Sequence, residues 1–209
     1  TIDNTAPSLS LFEPAEARTN SRDVNFNLTW TEVVSGLTID DFTVTPVSVG
    51  IGSTALIPNP LDPQSYTLSI MGITGDGGGI TIDLAANSAE DAAGNLNAAE
   101  SSNVILDYLP PTVTITVIGD DETSESTLNW RVQFDEETAG IDENDIQVDG
   151  GVIFGELIVT QQSAFEYFVQ LTEVETFGDI GFTIPAGNIG DSVGNATTAD
   201  SLSPKVNRL

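Results

Sequence analysis

The most constraining feature of this sequence is that its second half repeats its first. At an offset of 104 residues, VNFNLTW (Val24–Trp30) falls on LNWRVQF (Leu128–Phe134). Near the end of each half the offset becomes 100, and EDAAGN (Glu90–Asn95) falls on GDSVGN (Gly190–Asn195). A repeat of this length predicts two copies of one domain rather than a solenoid of short units.

The junction between the two copies is predicted near Ile105–Pro111, so that the domains comprise residues 1–106 and 107–209. Each domain begins with an acid, Asp3 or Asp107, followed by a short linker that ends in proline. Because proline fixes φ, such a link is expected to be stiff.

Hydrophobic residues alternate with polar ones inside each copy. Val24, Phe26, Leu28 and Trp30 form one such series, and Leu128, Trp130, Val132 and Phe134 form its repeat. This period of two indicates half-buried β-strands, and no stretch shows a convincing helical pattern. About seven short strands in about 100 residues predict an all-β fold of two tandem immunoglobulin-like antiparallel β-sandwiches.

The composition narrows the possible functions. Acids outnumber bases 32 to 5, giving a formal net charge of -27, so the surface repels nucleic acid and anionic lipid. The chain has neither Cys nor His, which removes disulfides, thiol nucleophiles, imidazole bases and the usual zinc sites. No apolar run is long enough to insert in a membrane. A Cys-free, acidic, Lys-poor chain fits a bacterial exported protein.

The order of motifs resembles that of bacterial Ig-like domains. In both copies a proline precedes the first strand, a strand ending in an aromatic residue leads to Glu, and G-[LI]-x-x-[DN]-D-[FI]-x-V and D-x-x-G-N follow. The likeness covers nearly the whole chain, although YLPP replaces the usual D-x-T-A-P linker before the second copy. It implies an extracellular or cell-surface extender or adhesion module, flanked by further repeats and directed at a host-cell, glycan or biofilm surface. Some members of the family bind calcium between domains.

The sandwich topology predicts that three separate segments meet at one pole of each domain. They are the segment before the first strand, the loop between the second and third strands, and the loop between the last two strands. Their acids and amides offer oxygen ligands of the kind that Ca²⁺ prefers. The candidate metal ligands are Asp3, Glu32, Asp41, Asp91 and Asn95 in the first domain, and Asp107, Glu136, Asp142, Asn144, Asp145, Asp191 and Asn195 in the second.

Several alternatives remain open at this point. D-x-x-G-N also fits a plain turn held by side-chain-to-backbone hydrogen bonds. Catalysis is not expected, since paired carboxylates occur by chance among so many acids. Trp30 and Trp130 are predicted to be core residues, Tyr108 to be exposed in the linker or packed in the joint, and ITGDGGG (Ile73–Gly79) to be a flexible turn. The competing functions are a glycan- or protein-binding accessory module of a secreted enzyme, and a metal-free spacer.

Overall fold

The chain divides into two compact units, Thr1–Leu109 and Pro110–Leu209. The structure is a computed structural model that describes residues 2–209. The sequence-based boundary after residue 106 falls inside the first unit, because Asp107 is the last residue of that unit's final strand. Among the described residues there is no α-helix, as the alternation predicted, and no helix long and apolar enough to cross a bilayer.

Unit 1 is built from two four-stranded sheets with the orders β1-β3-β6-β5 and β2-β8-β7-β4. In immunoglobulin lettering these are A-B-E-D and A′-G-F-C, the two-sheet arrangement of a constant-type domain. All pairs are antiparallel except that β2 runs parallel to β8. The strands are β1 Leu9–Pro14, β2 Arg18–Thr19, β3 Val24–Trp30, β4 Phe42–Val47, β5 Ser53–Pro58, β6 Ser65–Met71, β7 Gly77–Leu84 and β8 Glu100–Asp107.

Unit 2 has the same arrangement, with the sheet orders β13-β14-β11-β9, β10-β18-β15 and β12-β16-β17. The second sheet is divided because its two long strands are each interrupted, at Gly181 and at 203–205. The strands are β9 Val113–Ile118, β10 Glu122–Thr123, β11 Leu128–Phe134, β12 Gln147–Val148, β13 Leu157–Ser163, β14 Glu166–Leu171, β15 Gly178–Ile180, β16 Phe182–Ile184, β17 Ser201–Leu202 and β18 Val206–Arg208.

The alternating residues form the two cores, as predicted. Every second residue of β3 and of β11 is buried, and the strands that pair with them, β6 and β14, place Leu68 and Val169 against the same cores. Trp30 and Trp130 are 2% and 0% exposed, which confirms them as core residues. Burial of aromatic side chains of this size supplies a large share of the hydrophobic stabilisation of a sandwich.

The glycine-rich stretch is a turn only in its first part, residues 73–76, which connect β6 to β7. Gly77–Gly79 forms the beginning of β7 and pairs with the end of β8. Gly78 has φ +153°, and a Cβ there would lie 2.1 Å from the carbonyl oxygen of Val47. The neighbouring strand therefore comes too close for any side chain at this position. Close packing of the backbones, rather than a need for flexibility, explains the glycine.

Candidate functional site

The D-x-x-G-N motif of unit 1 folds into a closed turn around Asp91. One carboxylate oxygen, Oδ1, accepts hydrogen bonds from the backbone N–H of Ala93 at 2.7 Å and of Asn95 at 2.9 Å. The other, Oδ2, accepts from the side-chain amide of Asn95 at 2.7 Å. Gly94 has φ +86°, a conformation that favours glycine and lets the chain reverse there. The carboxylate is thus fixed in one orientation although it lies in a loop.

The second copy of the motif reproduces this turn. Asp191 Oδ1 accepts from the backbone N–H of Val193 at 2.9 Å and of Asn195 at 2.8 Å, and Oδ2 accepts from the Asn195 amide at 2.8 Å. Gly194 has φ +90°. The two aspartates are 5% and 4% exposed, far more buried than loop acids usually are. The turn interpretation of D-x-x-G-N therefore describes both copies.

Three segments of unit 1 meet at the Asp91 turn. Carboxylate oxygens of Asp3, Glu32 and Asp91 all lie within 4.8 Å of one another. Asp3 precedes β1, Glu32 follows β3, and Asp91 lies between β7 and β8. The convergence expected from the sandwich topology is thus present in unit 1, and we call these three residues the unit 1 acid cluster.

The acid cluster is electrostatically strained. The pKa of Glu32 is raised, first by burial of its carboxyl group and then by the nearby carboxylates of Asp91 and Asp3. The pKa of Asp91 is lowered, above all by the Asn95 side-chain hydrogen bond. Asp91 is therefore held ionised, and its negative charge repels the carboxylate of Glu32. A bound cation would reduce this repulsion.

In unit 2, Glu136 and Asp191 have carboxylate oxygens within 4.8 Å of each other, as Glu32 and Asp91 do in unit 1. The repeat register makes Asp107 the counterpart of Asp3. Both adopt the same local turn, in which Oδ1 accepts a hydrogen bond from the backbone N–H two residues on, that of Thr5 at 3.0 Å or Leu109 at 3.2 Å. Asp107 differs in that it also forms an ion pair with Arg18 of unit 1.

Four of the candidate ligands lie outside these groups and have another local function. Asp41 accepts hydrogen bonds from the backbone N–H and hydroxyl of Thr38, and so caps the short 3-10 turn Ile39–Asp41. Asp142 and Asp145 cap the equivalent turn Glu143–Asp145, with Asp142 accepting from the Asn144 N–H at 2.7 Å.

Asn95 and Asn195 contact Asp91 and Asp191, towards which they turn amide donors rather than oxygens.

Asn97 is a residue that the sequence reasoning missed. It is 3% exposed, and its Oδ1 accepts from the backbone N–H groups of Ser88 at 2.9 Å and Ala89 at 2.8 Å. Its amide donates to the carbonyls of Ala85 and Ala98. Asn97 therefore holds both sides of the loop that carries Asp91. Its position two residues after D-x-x-G-N was the available signal, but unit 2 has Thr197 there.

Tyr108 is half-buried and packs against the core of its own unit. The Arg22 guanidinium lies 3.4 Å from the centre of its ring, and the Tyr108 hydroxyl donates to the Ser21 carbonyl at 2.9 Å. Burial raises the pKa of Tyr108. With the Arg18–Asp107 ion pair, these contacts fasten residues 107–108 to unit 1, so the prediction of an exposed Tyr108 is wrong.

The donor set of the unit 1 acid cluster suits Ca²⁺. It consists of oxygen atoms only, and a chain without Cys or His has no softer ligands to offer. Ca²⁺ accepts six to eight oxygens at flexible angles, so three carboxylates would need carbonyl and water ligands to complete the shell. Zinc and copper prefer nitrogen or sulfur.

A scan against protein-family models and a search of curated proteins found no match. Similar solved structures include the D0-D1 domain of Intimin, with a TM-score of 0.31 and 15% identity over 96% of this chain and 98% of that one. InvD of Yersinia pseudotuberculosis gives a TM-score of 0.34 and 11% identity, covering 96% of this chain and 57% of its own. The N-terminal part of the bacterial S-layer protein SbsC gives 0.31 and 14%, covering 96% and 44%. The strand order, rather than these low scores, defines the fold of each unit as immunoglobulin-like.

Proposed function

We propose that this chain is a non-catalytic extender or adhesion module of a bacterial surface or secreted protein, and that Ca²⁺ makes it rigid. The observation that carries the proposal is the unit 1 acid cluster, in which three segments distant in sequence place carboxylates within 4.8 Å of one another. The motif series shared with bacterial Ig-like domains supports the assignment to a surface protein.

The proposed mechanism extends from unit 1 to each junction in a string of repeats. Asp3 stands to unit 1 as Asp107 stands to unit 2, because the repeat register and the local turn are the same. We infer that Asp107, Glu136 and Asp191 bind one Ca²⁺ where the two domains join. Removing the repulsion between these acids would limit bending, and a string of domains would become a stiff rod.

The energetic scale of such a site is modest but sufficient. Extracellular calcium modules have Kd values of about 10⁻⁴ to 10⁻³ M. At about 1 mM calcium, which is about 1 to 10 times such a Kd, binding adds about 0.4–1.4 kcal/mol to the stability of the liganded state. Millimolar extracellular calcium would then stiffen the chain, while the much lower cytosolic concentration would leave it slack before export.

The proposal is tested by small-angle scattering and thermal melting of the full chain in EDTA and in about 5 mM Ca²⁺, a concentration in the range where extracellular sites fill. We expect calcium to raise the melting midpoint and to lengthen and stiffen the particle. Glu32→Gln and Glu136→Gln should each weaken the response of their own unit. The matched controls Asp40→Asn and Glu137→Gln each remove an exposed acid that belongs to neither group of ligands, and they should respond like the original chain.

Two results would contradict the proposal in different ways. If neither the melt nor the scattering responds to calcium, D-x-x-G-N is only a turn and the chain is a metal-free spacer or a binding module. If the melt responds but the scattering does not, calcium stabilises individual domains and the rod mechanism is wrong.

A further inference from the structure

The outer face of the sheet β13-β14-β11-β9 in unit 2 has a shallow depression that the extender function does not use. Its volume is about 290 Å³, at the lower end of the range of about 300–1,000 Å³ for small-ligand pockets. The depression is lined by Ile118, Asn129, Ile158, Thr160, Gln162, Phe168 and Gln170. All of these lie on the side of the sheet that faces away from the core.

Strand register arranges the lining in two rows. In the first row Asn129 lies opposite Ile118 on one side and Gln170 on the other, and Gln170 lies opposite Ile158. Gln170 Nε2 donates to Asn129 Oδ1 at 2.7 Å, which leaves Asn129 Nδ2 as a donor and Gln170 Oε1 as an acceptor for a ligand.

The second row centres on a phenyl ring. Phe168 lies between Arg131 and Thr160 and is half-buried although it does not belong to the core cluster. A depression lined by a phenyl ring, amides and a hydroxyl combines apolar contact with directed hydrogen bonds.

The charge of the face sets it apart from the rest of the chain. The formal net charge of the protein is -27, yet none of the residues that line the depression, among those described, is acidic. Glu166, on the same sheet face, forms an ion pair with Arg131 at 3.5 Å. Other acids flank the depression: Glu143 accepts from the Val159 N–H at 3.2 Å, and Asp120 lines an adjoining depression. The lining itself is uncharged within a strongly negative protein. Anionic polymers would be repelled from the molecule as a whole, and the lining has no carboxylate to pair with a cationic ligand, so an uncharged ligand fits best.

Unit 1 supplies an internal comparison. By the same strand pairings, Thr67 replaces Phe168, Ser69 replaces Gln170 and Ala55 replaces Ile158. Ser69 still donates to Asn25 at 2.7 Å, so the cross-strand bond survives with a shorter side chain. The fold of this sheet therefore needs neither the ring nor the long amide, and both are features of unit 2 alone.

We propose that this face of unit 2 binds a neutral glycan. The Phe168 ring would contact the apolar C–H face of one sugar, and Asn129, Gln170 and Gln162 would hydrogen-bond its hydroxyls. None of the candidate calcium ligands takes part, so the proposal does not rest on calcium.

The test is a titration of the ¹⁵N-labelled full chain with cellohexaose, xylohexaose and mannohexaose, followed by amide chemical shifts, with and without calcium. We expect at least one of these neutral oligosaccharides to shift the side-chain amides of Asn129 and Gln170 and the backbone of β14. Phe168→Thr and Gln170→Ser introduce the residues that unit 1 has at the equivalent positions, and both should weaken binding. The expected loss of affinity for Phe168→Thr is about tenfold. Thr67→Ala on the equivalent face of unit 1 is the matched control and should bind like the original chain.

Three outcomes would overturn the glycan site. These are no shift on this face with any of the three sugars, shifts that persist in Phe168→Thr, and shifts that depend on protein concentration without sugar, which would indicate a second copy of the chain as the occupant. Because the titration is run with and without calcium, a failed glycan site and a failed calcium site are distinguishable.

Discussion

Asn95 donates its side-chain amide to Asp91 Oδ2 at 2.7 Å, and one hundred residues later Asn195 makes the same contact with Asp191 at 2.8 Å. In both copies the aspartate that projects into the acid group is oriented by the last residue of its own turn. The motif therefore fixes one carboxylate in a turn, and the proposed role of that carboxylate as a calcium ligand is compatible with this geometry.

Asn95→Ala should lower the thermal midpoint of unit 1, because it removes the bond that contributes most to holding Asp91 ionised. The pKa of Asp91 should rise accordingly, which an NMR titration of its carboxyl carbon would measure. Asn103→Ala changes an exposed asparagine on β8 and should leave both quantities unchanged. An unchanged Asp91 pKa in Asn95→Ala would contradict this, because it would show that the backbone N–H groups alone keep the pKa low.

Glu32→Gln should stabilise unit 1 at neutral pH in EDTA. Because the folded-state pKa of Glu32 is raised, its ionised form destabilises the fold, and this penalty disappears as pH falls through that pKa. The advantage of the glutamine variant should therefore vanish in mild acid. Asp91 behaves oppositely, since its lowered pKa gives stability that is lost only as pH falls further. Thermal melts of the original chain, of Glu32→Gln and of the control Asp40→Asn across this pH range measure these effects. A Glu32→Gln variant that melts below the original chain at neutral pH would contradict the assignment.

Asn97→Ala should destabilise unit 1 by about 2–3 kcal/mol, because it leaves the buried N–H of Ala89 and the partly buried N–H of Ser88 without their acceptor. Thr197→Ala is the natural comparison. The Thr197 hydroxyl accepts from Gly187 N at 3.2 Å, and the same N–H also donates to the Thr197 carbonyl at 2.8 Å, so the loss should be about 1 kcal/mol or less. Denaturant unfolding measures both, and equal losses would contradict the proposed difference between the loops.

Trp130→Phe should cost more stability than Trp30→Phe. The Trp130 indole donates to the Pro204 carbonyl at 2.9 Å, whereas within residues 2–209 no acceptor lies within hydrogen-bonding distance of the buried Trp30 indole nitrogen. Trp130→Phe loses a hydrogen bond and leaves a void, which should cost about 1–3 kcal/mol. Trp30→Phe leaves a void too, but it removes a donor that is unsatisfied in the fold, and this gain offsets part of the cost. Equilibrium unfolding of the two variants gives the comparison directly, and a larger loss for Trp30→Phe would refute it.

Much of this architecture could be predicted from the sequence because its strongest signals are periodic. Alternation in β3 and β11 identified the core, and the repeat identified two copies of one sandwich. The meeting of Glu32 with Asp91 followed from topology, since loops at one pole must converge.

What the sequence did not reveal depends on distances rather than on patterns. Asp41 and Asp145 carry the same charge as Glu32 and Glu136, but they accept hydrogen bonds from local backbone N–H groups and cap short turns instead. The glycines of Gly77–Gly79 look like a flexible loop until the Val47 carbonyl is placed against Gly78. Phe168 faces outward because its neighbours Tyr167 and Val169 face the core. The alternation in the sequence is consistent with this register, but it does not indicate a binding face.

The parallel pairing of β2 with β8 has a mechanical consequence. If the two ends of unit 1 are pulled apart, these neighbouring strands are drawn in opposite directions along their length, so the load falls on their contacts in shear. The Ile105 N–H to Ala17 carbonyl bond at 2.9 Å and the Arg18–Asp107 ion pair must then yield together rather than one after another. A domain loaded in this way resists tension through a few contacts at its edge, while its core stays intact until they break.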